Sequence, residues 1–182
     1  MEINTIKAPE NTSEFLNQKD KITVFLAGSI DMGKYNWQDS VQKELESRFK
    51  KDKINTYFEI VLFSPLREDW DSSWKQEKEN KEFNEQVNWE LDNLEKSDIA
   101  FFNFEPDSKS PITLLELGLT LSNKQKSDII VRCPKDFYRH GNVDIVLSRA
   151  KNEPIEEYTD ALDNLYELIK NKVKKNSLEK YF

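Results

Sequence analysis

Two periodicities run through this chain. Apolar runs of four to eight residues bounded by polar or Gly/Pro punctuation predict strands, and apolar positions three and four apart predict helices. Lys21-Ile-Thr-Val-Phe-Leu-Ala27 is the first strong strand, ending at Gly28-Ser29. A helix from Trp37 to Phe49 follows, with Trp37, Val41, Leu45 and Phe49 on one stripe. Tyr57-Phe-Glu-Ile-Val-Leu-Phe63 reads as a second strand, broken by Ser64-Pro65 and opening into a polar, tryptophan-containing loop from Arg67 to Asn80. Phe83, Val87, Leu91 and Leu94 form a helical stripe leading to the third strand, Ser97-Asp-Ile-Ala-Phe-Phe-Asn-Phe104. A helix then opens at a Ser110-Pro111 cap. Asp128 to Cys133 is a fourth strand, Val143 to Leu147 fits a fifth strand or a short helix, and Glu157 to Lys174 is a charged terminal helix. Residues 1–20 are polar and read as an extended arm or loosely packed lead-in.

Strands alternating with helices predict a mostly parallel sheet covered on both faces, with ligands bound beyond the carboxyl ends of the strands. At 182 residues the chain is long enough for one domain with a substantial core. The net charge of -7 argues against a nucleic-acid polymer as partner, which would need a basic face. One cysteine, Cys133, excludes an intrachain disulfide, and with one histidine, His140, the soft ligands for a zinc site are too few. No signal pattern opens the chain and no apolar run approaches the ~20 residues that span a bilayer. A cytoplasmic protein with no membrane partner, metal or cofactor is expected.

Glu116 is the first residue to invite a chemical role. It lies in Ser110-Pro-Ile-Thr-Leu-Leu-Glu-Leu-Gly-Leu-Thr-Leu-Ser122, where leucines flank it and Thr113 and Thr120 are its polar neighbours. Burying a carboxylate there is costly unless it is paired or used. It could simply complement the helix dipole, but its apolar surroundings favour use, as nucleophile or as acid/base, and a helix N-terminus would favour the ionised form. Glu90, beside Trp89, and Asp98 read by default as solvated helix charges. Trp70, Trp74, Phe83 and Trp89 are either core or a stacking surface for a planar base. His140 reads as a turn residue. The segment Ala27-Gly-Ser-Ile-Asp-Met-Gly33 follows a strand and precedes a helix, suiting backbone N–H groups that face a sugar hydroxyl or phosphate, or a tight structural turn. Neither a dinucleotide-binding Gly-x-Gly-x-x-Gly nor a P-loop is present.

Five motifs in order carry a resemblance. Thr23-Val-Phe-Leu-Ala-Gly-Ser-Ile30, Asp69-Trp-Asp-Ser-Ser-Trp74, Phe83-Asn-Glu-Gln-Val-Asn-Trp-Glu90, Ser110-Pro-Ile-Thr-Leu-Leu-Glu-Leu-Gly118 and Gly141-Asn-Val-Asp-Ile-Val146 together resemble the nucleoside 2-deoxyribosyltransferase-like family. The similarity runs from about residue 21 to 150, which divides the chain into an arm (1–20), the family domain (21–150) and a terminal helix packed on it (151–182). The resemblance implies a flavodoxin-like three-layer α/β fold. It also implies transfer of 2-deoxyribosyl between nucleobases through a glycosyl-enzyme intermediate, as in nucleotide salvage. In that scheme Glu116 is the nucleophile and Glu90 the helix acid near sugar and base. Arg67, Asp69 and Trp70 fall on the base-contacting loop, Gly28 and Ser29 on the first-strand loop, and Asn142 on the residue that reaches a neighbouring subunit's sugar. The implied partners are a nucleoside or nucleotide, a free nucleobase and further copies of the chain.

Three positions depart from the better-known transferases. Ser110 stands where they place an aspartate, a residue type seen instead in the nucleotide-hydrolysing branch. Val24-Phe25-Leu26 offers no aromatic hydroxyl to orient Glu116, and the C-terminal segment has no counterpart that would assign a role to the Phe182 carboxylate. A nucleoside 5′-monophosphate N-glycosidase and a catalytically silent nucleotide-binding module are therefore the rival readings.

Overall fold

Alternation along the strands sorts the core onto two faces of one sheet. The computed structural model describes residues 2–30, 36–54, 57–123 and 128–179. Its five strands, β1 (Glu2–Lys7), β2 (Lys21–Gly28), β3 (Glu59–Ser64), β4 (Ile99–Asn103) and β5 (Ile129–Arg132), are all parallel in the order β1-β3-β2-β4-β5. On one face Ile22, Val24 and Leu26 of β2, Ile60 and Leu62 of β3, and Phe101 of β4 meet α1 (Trp37–Lys51) and α5 (Tyr158–Glu179). On the other, Phe25, Ala27, Val61, Phe63, Ala100 and Phe102 meet α2 (Lys81–Lys96), α3 (Pro111–Asn123) and α4 (His140–Arg149). This is the three-layer, flavodoxin-like arrangement. Fully burying each large apolar side chain contributes about 1.5–3 kcal/mol, so the double-sided core accounts for near-continuous apolar strands.

The helices start where local chemistry favours it. Asn36 caps α1 by accepting from Gln38 N, and Asn80 caps α2 by accepting from Phe83 N. The α1 stripe of Trp37, Val41, Leu45 and Phe49 is wholly buried, as are Leu162, Leu165, Ile169 and Val173 of α5. The ambiguous Val143 to Leu147 segment is helical and buries Val143 and Leu147 in α4. No helix among the described residues is long and apolar enough to cross a membrane.

The lead-in differs most from its sequence pattern. Residues 2–7 form β1, an edge strand whose Ile3 lies opposite Ile60 of β3. The segment that follows is packed rather than loose. Thr12 Oγ1 donates to Asn93 Oδ1 at 2.6 Å, Trp89 Nε1 donates to Glu10 O at 2.7 Å, and Phe15 and Leu16 pack against the α2-side core. An edge strand needs backbone pairing on one side only, so it forms without an apolar run to announce it.

The chain runs from β2 outward to β3 and then crosses to β4 on the other side of β2. That switch point lies at Gly28, opposite Asn103 in the register. A Cβ on Gly28 would sit 2.4 Å from Asn103 O and 2.7 Å from the Trp37 ring. Gly28→Ala is therefore expected to destabilise the protein by about 1–3 kcal/mol in urea denaturation, because β4 and Trp37 cannot both yield. An unchanged midpoint would show that the strands separate freely there.

Candidate active site

Beyond the carboxyl ends of β2 and β3, the facing sides of α2 and α3 enclose a cavity of about 530 Å³. Phe25, Ala27 and Gly28 line it from β2, and Pro65, Trp70 and Gln76 from the segment after β3. From α2 come Phe83, Gln86, Val87, Glu90 and Leu91, a three-and-four spacing that turns one helical face inward. From α3 come Ile112, Thr113, Leu115, Glu116 and Leu119. Of the helical stripe, Phe83, Val87 and Leu91 are cavity wall, whereas Leu94 is core.

Glu116 and Glu90 are the two ionisable groups among the described lining residues. Glu116 is 8 % exposed, and its carboxyl has no hydrogen-bond partner among the described residues. The threonines on its face do not supply one: Thr113 Oγ1 donates to Gly28 O at 3.1 Å, and Thr120 Oγ1 to the backbone O of Glu116 at 2.8 Å. Burial, reinforced by the nearby Glu90 charge, pushes Glu116 up to about 8. Glu90 is pushed up to about 7 by burial, against a 2.7 Å hydrogen bond from Gln86 Nε2 that favours its charge. Burial thus acts on Glu116 against the ionised form that a helix N-terminus would favour. Glu116 lies beyond the first turn of α3, where the dipole has faded and desolvation dominates. The two carboxyls face one cavity, and the Glu90 charge adds to the burial that raises Glu116.

The remaining candidates take distinct places. Trp70 lines the cavity and stacks edge-on against Trp74 at 5.2 Å. Arg67 and Asp69 lie behind that lining, where Arg67 Nε donates to Asp69 at 2.7 Å, pairs with Glu85 at 3.1 Å and lies 5.0 Å from the Trp74 ring. They brace the loop. Ser29 and Ser110 are buried beside the cavity, their hydroxyls 2.6 Å apart, with Ser108 Oγ 2.8 Å from Ser110 Oγ. Ser110 thus spends its hydroxyl on serines, and its positive φ of 43° swings the chain into α3. Asn142 is exposed on α4 and lines a second cavity of about 340 Å³ with Leu114, Gly118, Arg139 and Val146.

Other residues belong to the scaffold. Trp89 packs on Phe25 and Phe63 behind the lining, Asp98 accepts from Thr23 N and Oγ1 at the start of β2, and His140 Nδ1 bonds Cys133 O. Gly33 and the Phe182 carboxylate lie outside the described residues. Gln76 and Gln86 are polar lining residues to which the sequence pattern gave no role; the one hint for Gln86 is its place four residues before Glu90 on the same helix face.

The model of the nucleoside 2-deoxyribosyltransferase-like family matches residues 21–137, from β2 to the turn after β5, and the chain belongs to that family. No curated protein matches the sequence significantly. The match includes both carboxyls and ends before Asn142.

The protonation of the pair has a consequence for stability. A carboxyl that binds its proton more tightly when folded than unfolded stabilises the fold below the ordinary carboxylate range, and that contribution is lost as pH rises through about 7 to 8. The stability difference between wild type and Glu116→Gln is therefore expected to widen between about pH 5 and about pH 9, by on the order of a few kcal/mol, with the variant the less pH-sensitive. Denaturant titrations across that range measure it, and parallel curves would contradict a desolvated Glu116.

Proposed function

We propose that the protein is a nucleoside 2-deoxyribosyltransferase, exchanging nucleobases on 2-deoxyribose through a covalent glycosyl-enzyme intermediate on Glu116. The observation that carries this reading is the pair of carboxyls facing one apolar cavity with raised proton affinities. Cleaving an N-glycosidic bond builds an oxocarbenium-like sugar, which needs a carboxylate to stabilise and capture it and an acid to protonate the departing base. Glu116 takes the first role and Glu90 the second. An incoming base then attacks C1′ and yields its proton to Glu90, so two inversions give overall retention. Attack requires a proton on Glu90 and an ionised Glu116, and hydrogen bonds from sugar hydroxyls to Glu116 favour that arrangement once substrate is bound. Trp70, Phe83 and the apolar walls stack a planar base and exclude water, favouring transfer over hydrolysis.

A second reading, hydrolysis of a nucleoside 5′-monophosphate, draws on one feature: the Ser29, Ser108 and Ser110 hydroxyl cluster at the start of α3. Against it, no lysine or arginine lines the cavity among the described residues. The raised proton affinities argue against a silent binding module. On the leading reading the protein works in nucleotide salvage in the cytoplasm.

The shared-site expectation also belongs to this reading. α3 packs beside α4, and Ile112, Leu115 and Leu119 of the first and Ile145 and Val146 of the second are all exposed, an apolar face of the kind that oligomers cover. A second copy seated there brings its Asn142 to the rim of the neighbour's cavity and completes the sugar site.

Glu116→Ala is expected to lower deoxynucleoside base exchange by about 10³-fold or more while leaving the melting temperature unchanged or higher, since a buried carboxyl is removed. Intact-mass analysis with a 2-fluoro-2-deoxy nucleoside should add one sugar to wild type and none to the variant; near-normal rates in the variant would exclude the mechanism. Faster turnover of the matching 5′-monophosphate than of the nucleoside would favour the second reading.

Activity per chain is expected to fall on dilution as sedimentation detects monomers, and mixing Glu116→Ala with Asn142→Ala should restore part of the activity each lacks. Full activity in a demonstrated monomer rules out a shared site.

A further inference from the structure

Gln86 is 3 % exposed and lies one helical turn before Glu90. Its Nε2 donates both to Pro65 O at 2.8 Å and to Glu90 Oε1 at 2.7 Å, so both amide hydrogens are used. Its own Oε1 is buried without a partner. Flipping the amide would set that oxygen against the Pro65 carbonyl, two acceptors in contact, so the carbonyl fixes which way the amide faces. Glu90 Oε1 is therefore met by an N–H, and a proton on Glu90 is left to Oε2.

We propose that Gln86 is a positioning residue for glycosyl transfer: it directs the Glu90 proton to Oε2 and stabilises the charge left on Glu90 when that proton passes to the departing base. This rests on the base-exchange reading above. In the first half-reaction the C1′–N bond breaks and its electron pair stays on the base nitrogen. The base takes the proton from Glu90 Oε2 while a Glu116 oxygen supplies the pair that bonds C1′. The products are a neutral free base, a glycosyl ester on Glu116 and an ionised Glu90. In the second half the incoming base bonds C1′ through nitrogen and loses a proton to Glu90, and the ester pair returns to Glu116. An N–H bonds a carboxylate more strongly than a neutral carboxyl, so the Gln86 bond tightens as the proton leaves.

Few other charges compete for this role. Across the cavity Glu116 faces Glu90 from α3, while β2 and the segment after β3 contribute uncharged lining residues among those described. Arg67 and Asp69 are paired with each other, and Glu85 of α2 turns to Arg67. The orphaned Gln86 oxygen also distinguishes this device from a brace. A well-packed apolar side chain would fill the space with no buried acceptor left over, so what glutamine adds is its two N–H groups.

The test compares wild type with Gln86→Met, which keeps length and removes both donors; Gln86→Leu serves if the first fails to fold. Carboxyl-carbon NMR titration of ¹³C-glutamate-labelled protein, with the Glu90 signal assigned by its loss in Glu90→Gln, reads the Glu90 proton affinity without substrate. The expected result is a Glu90 titration at higher pH in the variant. The alkaline limb of the kcat/KM profile should move the same way, and its plateau should fall about 10- to 100-fold. A Glu90 titration and an alkaline limb both unmoved, with only a lower melting temperature or a uniform rate loss, would overturn the proposal and leave Gln86 a structural brace. Absence of base exchange in wild type would instead overturn the function proposed above, and the substrate-free titration still decides whether Gln86 governs the Glu90 proton.

Discussion

The carboxyl end of the sheet depends on how closely β2 and β4 approach at Gly28. With no side chain there, Asn103 O comes near enough to accept from Ser29 N at 3.0 Å, and the Trp37 ring closes over the junction with its Nε1 donating to Ser29 O at 3.0 Å. Gly28 O in turn accepts from Thr113, one turn before Glu116. A single absent Cβ thus couples β2, β4, α1 and α3, and through α3 it sets the depth of the Glu116 carboxyl. The same junction is the topological switch point, where the crossovers leave in opposite directions and a crevice opens without any special device.

Within that crevice the dominant force is desolvation. The walls are aromatic and aliphatic, so each carboxyl binds its proton more tightly than in water, and the negative charge of one raises the affinity of the other. Gln86 breaks the symmetry by donating to Glu90 alone, which favours charge on Glu90 over charge on Glu116. The proposed mechanism needs the opposite preference, an ionised Glu116 and a protonated Glu90, so on that reading the hydroxyls and base of the substrate have to favour it, which links binding to activation.

Much of the fold was legible because burial enforces periodicity. The α1 and α5 stripes and the alternation in β2, β3 and β4 each answer to a face of the core, whereas β1 answers mainly to backbone pairing with β3 and so lacked a signature. Half-buried cavity walls mimic core, which is why the pattern left Phe83 open between core and a stacking surface: the space it faces is apolar too. In the site, Glu116 stood out as a charge among leucines, but the pattern did not reveal how far its proton affinity would rise, since that depends first on its burial in the folded cavity and then on Glu90 arriving from a different helix. Gln86 was invisible for a plainer reason. A glutamine in a helix is ordinary until the Pro65 carbonyl appears beside it.

The division of labour around the cavity also bears on transfer against hydrolysis. Arg67 holds the loop after β3 by bonding Asp69 and Glu85 and lying against Trp74, and Trp74 in turn supports Trp70 at the cavity edge. The Arg67 charge is thereby paired away from the cavity lining, to which Trp70 presents aromatic surface. On the proposed mechanism a glycosyl ester in such surroundings meets water rarely but meets a flat base readily, because stacking stabilises the base and gives water nothing. The open stretch of that wall is the α3 side, where Leu115 is 71 % exposed, so how dry the site becomes depends on what covers α3 as much as on the residues inside.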